Sequence, residues 1–230
     1  MEKLNVLVLG DGLLGGEIIK QTGWDYLSRK KDGFDILNIE GSINEKYDII
    51  VNCIANTDSY STEIKKHWDT NYVFVNELIK YCNIIKAKLI HISSDFVYAG
   101  STPNATELDI PISIQTPYGY TKLLSDGLVQ LQTKDYLLIR CSFKPSPWKY
   151  DNAWVDVYGC FDSVDIIAGL IIKCINKNAS GVLNLGTPSK SIYELAIRTN
   201  PNVIKSLAPI YVPHDITMDL SKLNKFLCKQ

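Results

Sequence analysis

Tyr118 and Lys122 stand four residues apart, directly after Pro117. On a helix, positions i and i+4 share one face, so the ammonium would sit beside the phenol. A free phenol has a pKa of about 10, too high to exchange a proton readily at neutral pH. A cation within about 4–6 Å favours the phenolate and lowers that pKa, so the pair predicts a tyrosine usable as an acid or base. Thr116 and Pro117 supply a helix N-cap and a first helical residue, which sets where Tyr118 begins its turn. Any helix can carry this spacing by chance, so the companions of the pair decide what it means.

Three companions carry chemistry of their own. Gly10-Asp11-Gly12-Leu13-Leu14-Gly15 fits G-x-G-x-x-G, after a strand pattern and at the opening of a helix pattern. Gly10, Gly12 and Gly15 allow a tight turn and close approach of a pyrophosphate, with Leu13 and Leu14 opening the helix whose N-terminus holds the charge. A merely tight strand–helix turn is the plain alternative, and Asp11 has to point away from any phosphate. After the second strand pattern, Ser28-Arg29-Lys30-Lys31 stands where an acidic residue would meet a ribose 2′-hydroxyl. Arg29 and Lys30 suit the 2′-phosphate of NADP, so NADPH is expected over NADH, unless the segment is only a solvated turn. Asp35 and Ile36 are weaker candidates for the adenine.

Cys53, Ile54 and Ala55 end a strand with small or apolar residues against which a cofactor could lie. Asn71, on the next helix, is a structural cap-like polar residue or part of a proton path on the cofactor side; both readings stay open. His91-Ile92-Ser93-Ser94-Asp95 ends another strand. Ser94 is placed to hydrogen-bond a substrate carbonyl, with Asp95 at the sugar side, although a plain turn also explains Ser-Ser-Asp. Tyr120 lies off the Lys122 face and is assigned to packing or substrate contact. In this order along the chain, the motifs point to a nicotinamide-dependent reductase.

The elements that must hold these residues follow from apolar runs. Strands are predicted over 4–9, 25–28, 35–38, 49–53, 88–92 and 136–140, with helices over 13–22, 62–82 and 117–132. The 62–82 helix places Ile64, Trp68, Val75, Leu78 and Ile79 inward. Nearly continuous apolar strands separated by helices predict an α/β fold, a Rossmann-type doubly wound parallel sheet covered on both faces. Its ligands bind at the carboxyl ends of the strands. From residue 143 the texture changes to breakers and aromatics over 144–161, read as core ahead of a ligand box. A helix over 163–176, a strand over 181–185 and helices near 191–198 and 219–227 follow. The division drawn is a dinucleotide-binding sheet domain over 1–142 and a small C-terminal substrate lobe over 143–230, interleaved with it.

Bulk properties exclude several classes. Of 230 residues, 46% are hydrophobic and 21% charged, with a formal net charge of −1 and no block of like charge. Neither nucleic acid nor a membrane surface is indicated as a partner. No apolar run approaches the roughly 20 residues that span a bilayer, no signal peptide is evident, and the expectation is cytoplasmic. The six cysteines show no C-x-x-C pair and read as free thiols. No metal site is predicted. A homo-oligomer is left open, since no self-complementary face is evident.

Together these residues resemble the extended short-chain dehydrogenase/reductase family, most closely its dTDP-4-dehydrorhamnose reductase branch. The resemblance rests on VLVLGDGLLG (6–15), DIIVNCIANTD (48–58), the Asn71 helix, KLIHISSDFVYAG (88–100), TPYGYTK (116–122) and LLIRCS (137–142). It implies that Ser94, Tyr118 and Lys122 are the catalytic trio, that NADPH delivers hydride while Tyr118 gives a proton to a keto oxygen, and that Lys122 binds the nicotinamide ribose. The substrate implied is a 4-keto-6-deoxy nucleotide sugar. The glycine loop is one residue shorter than the family's usual spacing, and the lobe after Ser142 is shortened. Phe96, where related dehydratases carry glutamate, argues against dehydration. Asp95, where fucose-synthase-like enzymes carry cysteine, argues against that epimerase/reductase chemistry. A cofactor-binding regulatory or scaffold protein and a nucleotide-sugar epimerase are the alternatives.

Overall fold

Aliphatic runs build the centre of the molecule, which a computed structural model describes for residues 4–43, 45–109, 111–112 and 116–228. The chain runs β1 (Val6–Leu9), α1 (Leu13–Thr22), β2 (Asp25–Leu27), α2 (Arg29–Asp32), α3 (Ile39–Ser42) and β3 (Ile49–Asn52). It continues through α4 (Ile64–His67), a π-helical turn (Trp68–Val73), α5 (Phe74–Ile85), β4 (Lys88–Ile92), a 3-10 turn (Asp95–Tyr98), α6 (Pro117–Gln132) and β5 (Tyr136–Arg140). Then come β6 (Phe143–Lys144), β7 (Asn152–Trp154), β8 (Tyr158–Gly159), β9 (Asp162–Ser163), α7 (Val164–Asn176) and β10 (Gly181–Asn184). β11 (Lys190–Ser191), α8 (Ile192–Ala196), β12 (Ile204–Ser206) and α9 (Ser221–Cys228) complete it.

Six strands form one parallel sheet in the order β10-β5-β4-β3-β1-β2, a Rossmann-like α/β architecture. Alternation divides each strand between two cores. Val6 and Val8 face α1 and α7 residues such as Leu14, Ile18, Ile167 and Ile171. Leu7 and Leu9 face α5 and α6, against Phe74, Leu78, Ile79 and Val129. The strand order reverses between β1 and β3, which opens a crevice at their carboxyl ends. Beyond residue 142 the chain does two jobs. α7 and β10 return to the sheet, while Trp148, Ala153, Val157, Phe161, Ile192, Leu195 and Val203 build a separate lobe core.

Two sequence expectations fail for local reasons. No strand forms over 35–38: Asp35 Oδ1 accepts a hydrogen bond from Leu37 N at 2.9 Å, and Asn38 caps α3 through Gly41 N. Such side-chain bonds satisfy the backbone as a turn and compete with strand pairing. The expected inward face of the 62–82 helix is right for Val75, Leu78 and Ile79, but Ile64 is 65% and Trp68 37% exposed. The π-helical turn inserts an extra residue into the helical period and rotates what precedes it away from the core. Among the described residues no helix is long and apolar enough to cross a membrane, and no cluster of three or more His, Cys, Asp or Glu could hold a metal.

Candidate active site

A cleft of about 690 Å³ opens at the carboxyl edge of the sheet, between the sheet and the lobe. Gly12, Leu13, Leu14, Cys53 and Ala55 line one end of it, and Ser94, Asp95, Tyr118 and Lys122 line its middle. The first end is shaped by close packing. Gly10 sits at φ +93°, which L side chains rarely adopt, and a Cβ on Gly15 would lie 1.9 Å from the Gly10 carbonyl oxygen. That contact lets α1 start tight against β1. Gly12 caps α1 without a side-chain hydrogen bond, so the first N–H groups of a ten-residue helix have no side-chain acceptor. An anion such as a pyrophosphate fits this cradle. Asp11 is exposed and acts electrostatically on Lys31.

Several nominated cofactor residues lie off this cleft. The Ile54 side chain packs against Gly10. Arg29 and Lys30 stand exposed on α2, whose cap is the buried Ser28. Asp35 is used by its own turn, and Ile36 borders a separate shallow depression with Ile64 and Thr70. Asn71 is a clamp rather than a cofactor ligand: its Oδ1 accepts from Asn56 N at 2.8 Å, and its Nδ2 donates to Asn56 O at 3.1 Å and Thr121 Oγ1 at 3.2 Å. With both ends of the amide taken, it ties the loop after β3 to α6. Tyr120 is 42% exposed and faces away from the cleft, two positions round the helix from Tyr118.

The catalytic candidates do converge. Thr116 Oγ1 accepts from Gly119 N at 3.1 Å, capping α6 so that Tyr118 and Lys122 fall on its buried side. The Tyr118 ring sits between Phe96 and His67, with centroids at 5.7 and 6.1 Å. Ser94 caps the 3-10 turn by accepting from Phe96 N at 3.1 Å, and its hydroxyl donates to Asp95 Oδ1 at 3.2 Å. The same hydroxyl is close enough to Tyr118 to act on the phenol as a hydrogen bond does.

The expected effect of Lys122 on Tyr118 is overturned. Burial pushes the phenol well above its ordinary value; the Ser94 hydroxyl pulls it down, the Asp95 charge pushes it further up, and Lys122 is not among the groups acting most on it. The reason is where the ammonium goes: Lys122 Nζ donates to the Ile92 carbonyl at 2.7 Å. Burial lowers Lys122 to about 8, against the opposing pull of Asp126. The phenol is thus held protonated across the neutral range. Burial alone therefore leaves it a weaker acid than a free phenol.

Behind the trio lies a buried polar layer that the sequence reading missed. Asn52 Oδ1 accepts from Ile54 N at 3.0 Å, so its Nδ2 points at His91 Nδ1, 3.2 Å away. That assigns the imidazole proton to Nε2, 3.4 Å from Ser125 Oγ, and burial holds the ring neutral. Arg140 Nε donates to Asp126 Oδ2 at 2.9 Å and Arg140 Nη1 to the Tyr98 hydroxyl at 2.5 Å. Phe96 and Tyr60 wall the cleft beside Tyr118. Asp126, four residues after Lys122, was the readable signal here, since it repeats the helical spacing that singles out Tyr118.

Comparison with known proteins places this geometry. The model of the RmlD substrate binding domain family matches residues 4–151, more than half of the chain. The spore coat polysaccharide biosynthesis protein SpsK of Bacillus subtilis is 32% identical over 149 residues, covering 60% of this chain and 52% of that protein. The chain thus matches about half the length of this curated relative. Among solved structures, a hypothetical dTDP-4-dehydrorhamnose reductase from Sulfolobus tokodaii superposes with a TM-score of 0.82 at 23% identity, over 98% of this chain and 95% of that one. The dTDP-4-dehydrorhamnose reductase of Bacillus anthracis, solved in complex with NADP, gives 0.82 at 21% identity over 97% and 92%. These likenesses extend the shared fold past residue 151 and through the lobe.

Proposed function

This chain belongs to the RmlD substrate binding domain family, and on that premise we propose that it is an NADPH-dependent reductase of a 4-keto-6-deoxy nucleotide sugar. The observation that carries the reading is a buried Tyr118 phenol lining one cleft with Ser94, Lys122 and the uncapped end of α1. The chemistry that NADPH supplies when bound is hydride donation to a carbonyl carbon. Tyr118 gives its proton to the carbonyl oxygen, so ketone becomes alcohol. Lys122, held at the cleft by the Ile92 carbonyl, would bind the nicotinamide ribose rather than the phenol. The Ser94 hydroxyl swings from Asp95 to hold the ketone oxygen. Gly10, Gly12 and Gly15 with the α1 N-terminus would hold the pyrophosphate, and Cys53 and Ala55 would let the cofactor lie against the backbone.

Oxidation of NADPH against a panel of 4-keto nucleotide sugars, with mass detection of product, tests this. The expected result is one substrate class that gains two hydrogens per NADPH consumed. Tight NADPH binding with no turnover of any keto sugar would instead favour a regulatory protein of this fold, and isomerisation without net oxidation an epimerase.

Arg29 and Lys30 stand exposed just beyond β2, and a cation after the second strand suits an extra phosphate on the adenosine ribose. The double variant Arg29→Ala/Lys30→Ala is expected to raise the KM for NADPH about tenfold or more, the loss of one or two charge-assisted hydrogen bonds, and to leave that for NADH within about twofold. Parallel changes for both cofactors would remove these residues from phosphate recognition.

A further inference from the structure

Two opposite charges face this cleft and the chemistry above leaves them unused. Asp95 is 2% exposed, and its Oδ2 has no hydrogen-bond partner in place among the described residues; the Ser142 hydroxyl stands close enough to act on the carboxyl as a hydrogen bond does. A buried carboxylate oxygen without a partner forfeits its hydration for nothing, so natural sites rarely leave one. Lys144 lines the same cleft from β6, whose backbone is fixed by pairing with β9. Its Nζ lies 5.4 Å from the Phe161 ring centroid, with no hydrogen bond to any described residue. Burial pushes Asp95 up to about 6 and Lys144 down, each charge opposes that shift in the other, and they do not close into a salt bridge.

A gap between an ammonium and a carboxylate calls for a group that accepts from one while donating to the other. A hydroxyl does both. An anionic substituent would meet Lys144 but be repelled by Asp95, and an amino substituent would meet the reverse. We propose that Asp95 and Lys144 form a hydroxyl clamp for a neutral sugar ring, with Lys144 the specificity-determining residue. Trp148 and Phe161 wall the same space with apolar surface, which keeps water from competing for either charge. The clamp rests on the nucleotide-sugar reading above, but its partner is the sugar and not the nucleotide.

Titration calorimetry separates the two. The probes are dTDP-glucose and UDP-glucose, UDP-glucuronic acid, and dTDP and UDP as sugar-free controls. Lys144→Met is expected to weaken the preferred neutral nucleotide sugar about ten- to a hundredfold, the loss of a charged hydrogen bond, while the matching nucleoside diphosphate stays within about twofold. Asp95→Asn is expected to narrow the preference for UDP-glucose over UDP-glucuronic acid. Near-ultraviolet circular dichroism and NADPH fluorescence confirm that each variant is folded. An equal loss with dTDP or UDP alone would move the ammonium onto the diphosphate and overturn the clamp, as would unchanged sugar affinity. Wild-type protein that oxidises NADPH with none of the 4-keto nucleotide sugars above would instead overturn the parent reading.

Discussion

Tyr118→Phe is expected to lower kcat by about 10²–10⁴-fold, the usual contribution of a positioned general acid, with NADPH affinity unchanged within about twofold. The substitution removes one oxygen and keeps the ring, which remains packed between Phe96 and His67. The α1 cradle proposed for the pyrophosphate is untouched by it. Stopped-flow reduction and cofactor fluorescence titration, run on the same preparation, separate the two effects. A companion pH profile reports the free protein's titrating groups through kcat/KM. Lys122, lowered to about 8 by burial, loses its charge as pH rises through that value, so kcat/KM should fall on the alkaline side. Full turnover by the phenylalanine variant would remove Tyr118 from the chemistry altogether.

The phenol's state shows where sequence reading stops. That Tyr118 and Lys122 share a helix face follows from spacing alone, and the cap at Thr116 that sets their phase is equally local. How deep the face lies, and where a four-carbon stem carries its ammonium, depends on β4, whose Ile92 carbonyl captures Lys122. Burial then raises the phenol where proximity of a cation was expected to lower it. The glycine turn was readable for the same reason as the cap: its constraint is the collision between Gly15 and Gly10, five residues away.

Residues that depend on distant partners were read less well. Asn71 is fixed by Asn56 and Thr121, the latter 50 positions away, and no local pattern announces an amide whose both ends are taken. Lys144 sits in a breaker-rich segment that reads as a turn, and only its pairing with β9 brings it to face Asp95. The main sheet, by contrast, was legible almost strand for strand, because strands buried on both faces are continuous apolar runs whatever their neighbours. The missed π-helical turn is the converse: it changes the phase of a helix without changing its composition.

Asp126→Leu is expected to cost about 3–5 kcal/mol of stability, a large part of the roughly 5–15 kcal/mol that a domain of this kind has. Asp126 and Arg140 are nearly inaccessible, at 1% and 2% side-chain exposure, and form one ion pair at 2.9 Å. Removing the carboxylate leaves a buried guanidinium that cannot shed its proton, with the Tyr98 hydroxyl as its remaining partner. The pair itself is not a strong net stabiliser. Burial raises the Asp126 carboxyl more than Arg140 lowers it, so the folded state holds that proton more tightly than the unfolded chain does. Its contribution is therefore largest in acid and is lost as pH rises through the folded value. It follows that Asp126→Leu/Arg140→Met should recover most of the loss, because two apolar groups replace two desolvated charges. Thermal and denaturant unfolding of the two single variants and the double measure this coupling. A second readout ties the pair to the site. Asp126 supports the charge on Lys122, so its removal should move the alkaline limb of kcat/KM below about 8. A double variant as unstable as the single one would show that the ion pair is needed for itself, and an unmoved limb would detach it from Lys122.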